Sequence, residues 1–412
     1  MVKPERRTRT DIVVALAIAA VVAVAAAAIW WTSDARATVS HPAATPSNSV
    51  PPAHEVPATL KQLWMAPSAA TTVPVLASGT VVTGEGRTVE GRDPATGQTR
   101  WTYARDLELC GVSWIYQYAV AVYPDVRGCG QVTAIDMGTG RRGSTRSGYA
   151  DDHVELSSDG TTVLAAGKTR LEMWRSDMVR VLGYGEVDAR VKPNQVGVGK
   201  GCAMLSAAAS SAAVSVLQSC PGEADVRLTL LRPGKDDDEP DLRDVPQQGV
   251  SPSSGARVLA VSDTTTAVYL PTPTPRVSVV DEAGTELSST PVPEPPSSAG
   301  VTAQGTVSRA GDLITWWTGN SVMVFAADKL AYKYTIPASG PAVPLGPGTM
   351  MAAKLLVPVT GGLGVYDSGT GAPERVIAFA RPAMDSGVAV IVPAVIGTTV
   401  IEQRGRTLVA LG

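Results

Sequence analysis

The chain has 412 residues, 44% hydrophobic and 18% charged, with 40 Gly and 31 Pro but only 8 Trp, 10 Tyr and 2 Phe, and a formal charge of −3. It is too apolar to be disordered, long enough for two or three domains or one large all-β domain, and without the basic excess of a nucleic-acid binder. Of three histidines, His41 and His54 fall in a Pro-rich stretch, leaving His153 alone in the folded part, which argues against histidine catalysis and multi-histidine metal sites.

Residues 1–11 form a short tail carrying Lys3, Arg6, Arg7 and Arg9. Residues 12–31 are uncharged and apolar throughout, a 20-residue run that matches the bilayer core as a helix of about 30 Å. The positive-inside rule then predicts a cytoplasmic N-terminus, a transmembrane helix in the inner (plasma) membrane, and a periplasmic remainder. Trp30 and Trp31 fall at the outer end, where indole rings favour the headgroup layer. A cleaved signal peptide ending at Ala37 is the alternative, although its apolar region is usually shorter. Residues 32–58, dense in proline and without periodicity, read as an extended linker to a domain spanning 59–412.

Exported cysteines suggest disulfides. Cys110 and Cys129 lie 19 apart, Cys202 and Cys220 18 apart, and each pair brackets a β-rich run. Equal spacing around equivalent segments favours two local bridges over the other two pairings.

Internal repeats set the fold class. Asp93, Thr96 and Gly97 form a D-x-x-T-G turn that recurs at Asp136, Thr139 and Gly140 and at Asp367, Thr370 and Gly371, with a looser copy at Asp281 and Gly284. In such a turn the aspartate accepts backbone N–H groups and glycine supplies a positive φ. Strand-like runs begin near 80, 118, 161, 212, 265, 312, 352 and 398. Eight units of three or four short strands predict an all-β, eight-bladed β-propeller, with seven blades as the alternative if 191–250 hides an insertion. The last unit stops one outer strand short. Residues 60–64, whose Trp64 matches Trp101 of the first unit, supply that strand and close the ring.

The turn followed by a strand with Trp resembles the PQQ-like repeat family over residues 60–412, a family that includes quinoprotein dehydrogenases and BamB-type envelope scaffolds. Quinoproteins of that family carry adjacent cysteines over the quinone and a calcium held by carboxylates and Asn. Here no cysteines are adjacent, and the propeller has only Asn194 and Asn320. The expectation is therefore a non-enzymatic chain with no cofactor and no metal. Residues 235–239 read as a solvated acidic loop, and Asp151, Asp152 and His153 as a hydrogen-bonding cluster, since neither comes with a nucleophile, an oxyanion motif or EF-hand spacing.

The stretches IWWTSDARATVSHPA, RSGYADDHVELSSDGTTVL, TRLEMWRSDMVR, RLTLLRPGK and EQRGRTLVALG resemble the single-pass, periplasm-facing propellers of mycolic-acid-producing actinobacteria, the polar growth factor family. That resemblance implies trehalose monomycolate or a related glycolipid as ligand, an MmpL-type RND exporter as partner, and a role in cell-envelope assembly at growing poles. It transfers no site residues. Candidates for lipid or partner contact come from side-chain type on strands: Trp114, Tyr116, Trp174, Trp316, Trp317, Phe325, Met350 and Met351. Each has core packing as the competing reading, and adjacent Trp316 and Trp317 must point to opposite faces of their strand. A scaffold with no lipid site is the alternative function.

Overall fold

The computed structural model describes residues 8–186, 199, 201–237, 239–292, 306–338, 342–381 and 390–412. Lys3, Arg6 and Arg7 of the basic tail, Asn194 and Asp238 lie outside these.

The apolar run forms helix α1 (Arg9–Thr32), one turn longer than the 20-residue stretch. Thr8 and Asp11 exchange hydrogen bonds as a capping box at its start, satisfying N–H groups that the first turn leaves without partners. None of its side chains is buried against the rest of the chain. Among the described residues it is the one helix long and apolar enough to cross a membrane. Arg36 stacks on Trp31, 3.8 Å from the ring centroid, at the outer end.

The described strands form eight antiparallel sheets, so the eight-bladed reading holds over the seven-bladed one. The inner strands are Val75–Ala77, Gly111–Ile115, Glu155–Ser158, Ala203–Ala209, Arg257–Val261, Val307–Ala310, Thr349–Met351 and Ile391–Ile396. The eight runs read as strands from the sequence are all second strands, for example Thr80–Glu85 and Tyr118–Asp125. These strands are flanked on both sides within their sheets, which is why nearly every residue in them is apolar or small. Ring closure follows the expected route: Gln62–Pro67 pairs antiparallel with Thr407–Leu411 as the outer strand of blade 8.

The D-x-x-T-G turns do two jobs. The Asp93 carboxylate accepts from the N–H groups of Ala95 (3.0 Å) and Thr96 (2.9 Å) and from the Thr96 hydroxyl. Asp136 and Asp367 repeat this with Thr139 and Thr370. Gly97, Gly140 and Gly371 sit at φ +71°, +70° and +73°. Their missing side chains also seat an aromatic ring from the preceding blade. A Cβ on Gly97 would lie 2.6 Å from Trp64, on Gly140 2.4 Å from Trp101, and on Gly371 2.3 Å from Tyr334. Each ring then donates across the blade boundary: Trp64 Nε1 to Pro94 O (2.8 Å), Trp101 Nε1 to Met137 O (2.7 Å) and the Tyr334 hydroxyl to Ser368 O (2.7 Å). One short motif thus turns the chain and locks adjacent blades.

Both disulfides form within single blades, Cys110–Cys129 in blade 2 and Cys202–Cys220 in blade 4. Loops of 19 and 18 residues imply about 3 kcal/mol of stabilisation each in the chain-entropy model. Replacing both cysteines of either pair with alanine is expected to lower the unfolding free energy measured in urea by that amount; a loss under about 1 kcal/mol would mean the unfolded state is already restrained there.

Candidate functional site

In each blade the first and third hairpin turns lie on one face of the ring, here the turn face. The second turn and the connection to the next blade lie on the other, the connection face. Between the inner strands of blades 2–6, with Thr72 and Val73 at the entry to blade 1, lies a central cavity of about 250 Å³. Trp114 and Leu156 contribute apolar wall, Ser157 and Ser206 hydroxyls, and Glu155, Asp159, Arg257 and Arg309 charge.

The candidate residues separate by position. Trp114, half-buried, lines the cavity. Tyr116 is 51% exposed at a first hairpin turn, with φ +48°, and its N–H donates to Gly160 O (2.9 Å). Trp174 is buried and donates from Nε1 to Glu172 (2.9 Å). Trp316 and Trp317 do take opposite faces: Trp316 packs with Tyr269 of blade 5, and Trp317 faces blade 7 and donates to Pro344 O (2.9 Å). Phe325 is buried beside Trp316. Met351 is buried with Leu363 and Val400, and Met350 is half-buried against the cluster around Trp317. The structure does not gather these eight residues into one surface.

Buried charge is concentrated in two clusters. Glu172 of blade 3 meets Arg170 (2.6 Å), Arg180 (3.2 Å) and, from the outer strand of blade 2, Arg146 (2.7 Å). Burial pushes the Glu172 carboxyl up, but Arg146, Arg170 and the Trp174 N–H together outweigh it and hold the group below its ordinary value. The second cluster pairs fully buried Glu402 with Arg381 (2.7 Å) and Arg404 (2.6 Å).

Asp151 is committed to structure: its carboxylate accepts from the Thr169 hydroxyl (2.7 Å) and from the N–H groups of Thr169 (2.9 Å) and Arg170 (3.1 Å). In the acidic loop, Asp237 pairs with Arg180 (2.7 Å). Among the described residues no group of three His, Cys, Asp or Glu is placed to hold a metal ion.

The Pro-rich segment makes contacts that its composition does not announce. Strand β1 (Val39–His41) adds a fifth strand to the outer edge of blade 1, with Val39 opposite Ala104 and His41 opposite Thr102. The chain then crosses the turn face. Ala43 N–H donates to Thr139 O (2.9 Å), the Ser47 hydroxyl to Ser78 O (2.6 Å), and Arg375 of blade 7 donates to Val56 O (2.8 Å). The end of α1 is on the opposite side, where Trp31, Ser33 and Arg36 share a groove with Arg105, Asp106 and Leu107 of the connection face.

No protein-family model matches the chain, and no curated protein matches it. Solved structures similar to it include BamB from Moraxella catarrhalis, at 13% identity and TM-score 0.44, covering 86% of this chain and 97% of that one. Saccharomyces cerevisiae Sqt1 is similar at 11% identity and TM-score 0.53 (88% and 98% covered). The Neurospora crassa Pan2 WD40 domain is similar at 10% identity and TM-score 0.43 (74% and 89% covered). At these identities the likeness speaks to the fold alone, and of the three only the Sqt1 superposition is close enough to be used even for that.

Proposed function

We propose that this chain is a membrane-anchored, non-enzymatic propeller scaffold on the periplasmic side of the plasma membrane, which assists trehalose monomycolate trafficking by holding an MmpL-type exporter and other envelope proteins. The helix and two disulfides support an exported, anchored protein. The lipid and exporter are brought in by the sequence resemblance.

The observation that carries the scaffold over a carrier is the size of the cavity. About 250 Å³ falls below the roughly 300–1,000 Å³ of sites that enclose drug-sized ligands, and a mycolate chain is larger still; the larger hollows among the described residues, of about 380, 420 and 510 Å³, are open surface grooves that enclose nothing. Partner contact therefore belongs to the outside of the ring. Met65 of blade 8, Leu287 of blade 5 and Val376 of blade 7 expose apolar side chains on outer strands. Pairing of β1 with blade 1 shows that an outer edge of this propeller accepts an added strand. Holding the propeller at the membrane raises its effective concentration near an exporter without tight binding.

Native mass spectrometry of the detergent-solubilised full chain with trehalose monomycolate, run beside crosslinking to the exporter in a mycolate-producing host, tests the proposal. A lipid-free mass together with an exporter crosslink is expected. Stoichiometric lipid adducts would replace the scaffold with a carrier, and loss of the crosslink would remove the exporter as partner.

A further inference from the structure

The inner strand of blade 5 opens on Arg257, in the wall of the central cavity. Its guanidinium makes no hydrogen bond or ion pair among the described residues, and its Nε is buried without an acceptor. Two aromatic faces hold it instead, with Cζ 5.8 Å from the Tyr269 ring centroid and 5.7 Å from that of Trp316. Stacking orients a guanidinium while leaving its in-plane N–H donors free. The indole Nε1 of Trp316, a residue only 1% exposed, is also buried with no acceptor.

Elsewhere this fold neutralises its buried arginines. Arg170 and Arg180 share Glu172, and Arg381 and Arg404 share Glu402. The other charges around the cavity are differently engaged. Asp159 accepts from the N–H groups of Thr161 and Thr162, Arg309 donates to Gly311 O, and Glu155 is exposed at its rim. Burial pushes the Arg257 guanidinium down from its ordinary value against a smaller upward push from Tyr269, and among the described residues no carboxylate pairs with it. What remains is one cation in the cavity wall with no acceptor among the described residues, set among apolar and hydroxyl side chains and the otherwise engaged Asp159 and Arg309, while the Trp316 N–H lies behind that wall in the core.

We propose that Arg257, stacked on Tyr269 and Trp316, binds the oxyanion of a ligand entering the central cavity, a carboxylate or phosphate that presents acceptors only. A guanidinium fork matches the paired oxygens of either group, and the cavity has room for such a head and a short attached chain. The inference is independent of the exporter and the mycolate lipid.

The test titrates the full chain in maltoside detergent with sodium phosphate, sodium acetate, decanoate and decyl phosphate, reading heat and tryptophan fluorescence, for wild type, Arg257→Met, Arg257→Lys and Trp316→Phe. Saturable binding of at least one probe is expected. It should weaken at least tenfold in Arg257→Met, less in Arg257→Lys, and least in Trp316→Phe, which keeps an aromatic face under the guanidinium. Binding of the decyl probes alone would identify an amphiphile as the source of the oxyanion, and equal binding of phosphate or acetate a free anion. Arg257→Met is expected to melt no lower than wild type without ligand, because it removes an unpaired charge; a lower melting temperature would mark Arg257 as structural and overturn the proposal. Absence of saturable binding by all four probes, or unchanged binding in Arg257→Met, would overturn it as well and leave the cavity to water.

Discussion

Trp101→Ala is expected to destabilise the propeller by about 3–5 kcal/mol, the range for removing a large buried aromatic. The ring is 2% exposed and lies between Gly91 of its own blade and Gly140 of the next, in a cluster with Val89, Ile135 and Met137. Its indole N–H is the donor that satisfies Met137 O at 2.7 Å. Alanine would lose the buried area, leave a cavity at a blade boundary, and orphan that carbonyl. Trp101→Phe separates these effects, since it keeps most of the packing and removes the N–H, for an expected loss nearer 1–3 kcal/mol. Gly140→Ala attacks the same lock from the other side, because φ +70° is strained for alanine and its Cβ would lie only 2.4 Å from Trp101 Cβ and 2.5 Å from its Cγ. Urea unfolding at fixed slope measures all three. If Trp101→Ala lost less than about 1 kcal/mol, the turn would serve only to reverse the chain, and blade contacts would have to come from elsewhere.

Glu172→Ala is expected to cost about 3–5 kcal/mol for a different reason: it strands charges rather than opening a cavity. Arg146, Arg170 and Arg180 converge on this one carboxylate, and Arg170 is itself 6% exposed. Replacing Glu172 together with Arg146 and Arg170 by apolar residues should recover much of the loss, as for buried ion clusters generally. The same group predicts the acid response. Its native carboxyl titrates below the ordinary value of 4.5, so its contribution is fully present above that pH. As pH falls from 4.5 towards the depressed native value, the unfolded chain takes up a proton that the native state refuses, and the contribution is lost. Glu172→Gln should therefore be less stable than wild type at pH 7 and show a shallower fall in stability below pH 4.5. Equal stability at pH 7, or parallel acid profiles, would refute the role assigned to the cluster.

The parts of the fold that were legible in the sequence are those built from local chemistry. A D-x-x-T-G turn folds by hydrogen bonds within four residues, so its copies could be counted, and the β-branched second strands between them marked the eight blades. Equal cysteine spacing was legible because each bridge closes inside one blade. The match of Trp64 to Trp101 gave ring closure, since both are outer-strand residues that lie over a glycine turn.

The candidate site was much less legible. Of the eight aromatic and methionine candidates, Trp114 lines the cavity and Tyr116 is well exposed, while Trp174, Trp316, Trp317, Phe325 and Met351 are buried between strands. Alternation along a strand says that two neighbours face opposite ways, but in a propeller both faces pack against another blade, so side-chain type alone does not reveal the cavity. Arg257 was overlooked although an arginine heading an apolar inner strand, RVLAV, was a usable signal. The docking of residues 39–57 was hidden too, because proline density excludes helix yet leaves open whether an extended segment is solvated or laid on a surface.

By itself, then, the sequence determined the apolar helix and a propeller of seven or eight blades, and it favoured eight blades, the two local disulfides and the strand that closes the ring, all from contacts near in sequence or from repetition of one unit; the structure settled the count at eight. Only the tertiary structure decided the size of the cavity, the three arginines around Glu172, the Arg257 stacked beside Trp316 with no ion-pair partner among the described residues, and the face crossed by the Pro-rich segment. Most of those features join residues tens to hundreds of positions apart, and all have energies that depend on distance and burial, which become defined only when neighbouring blades have packed.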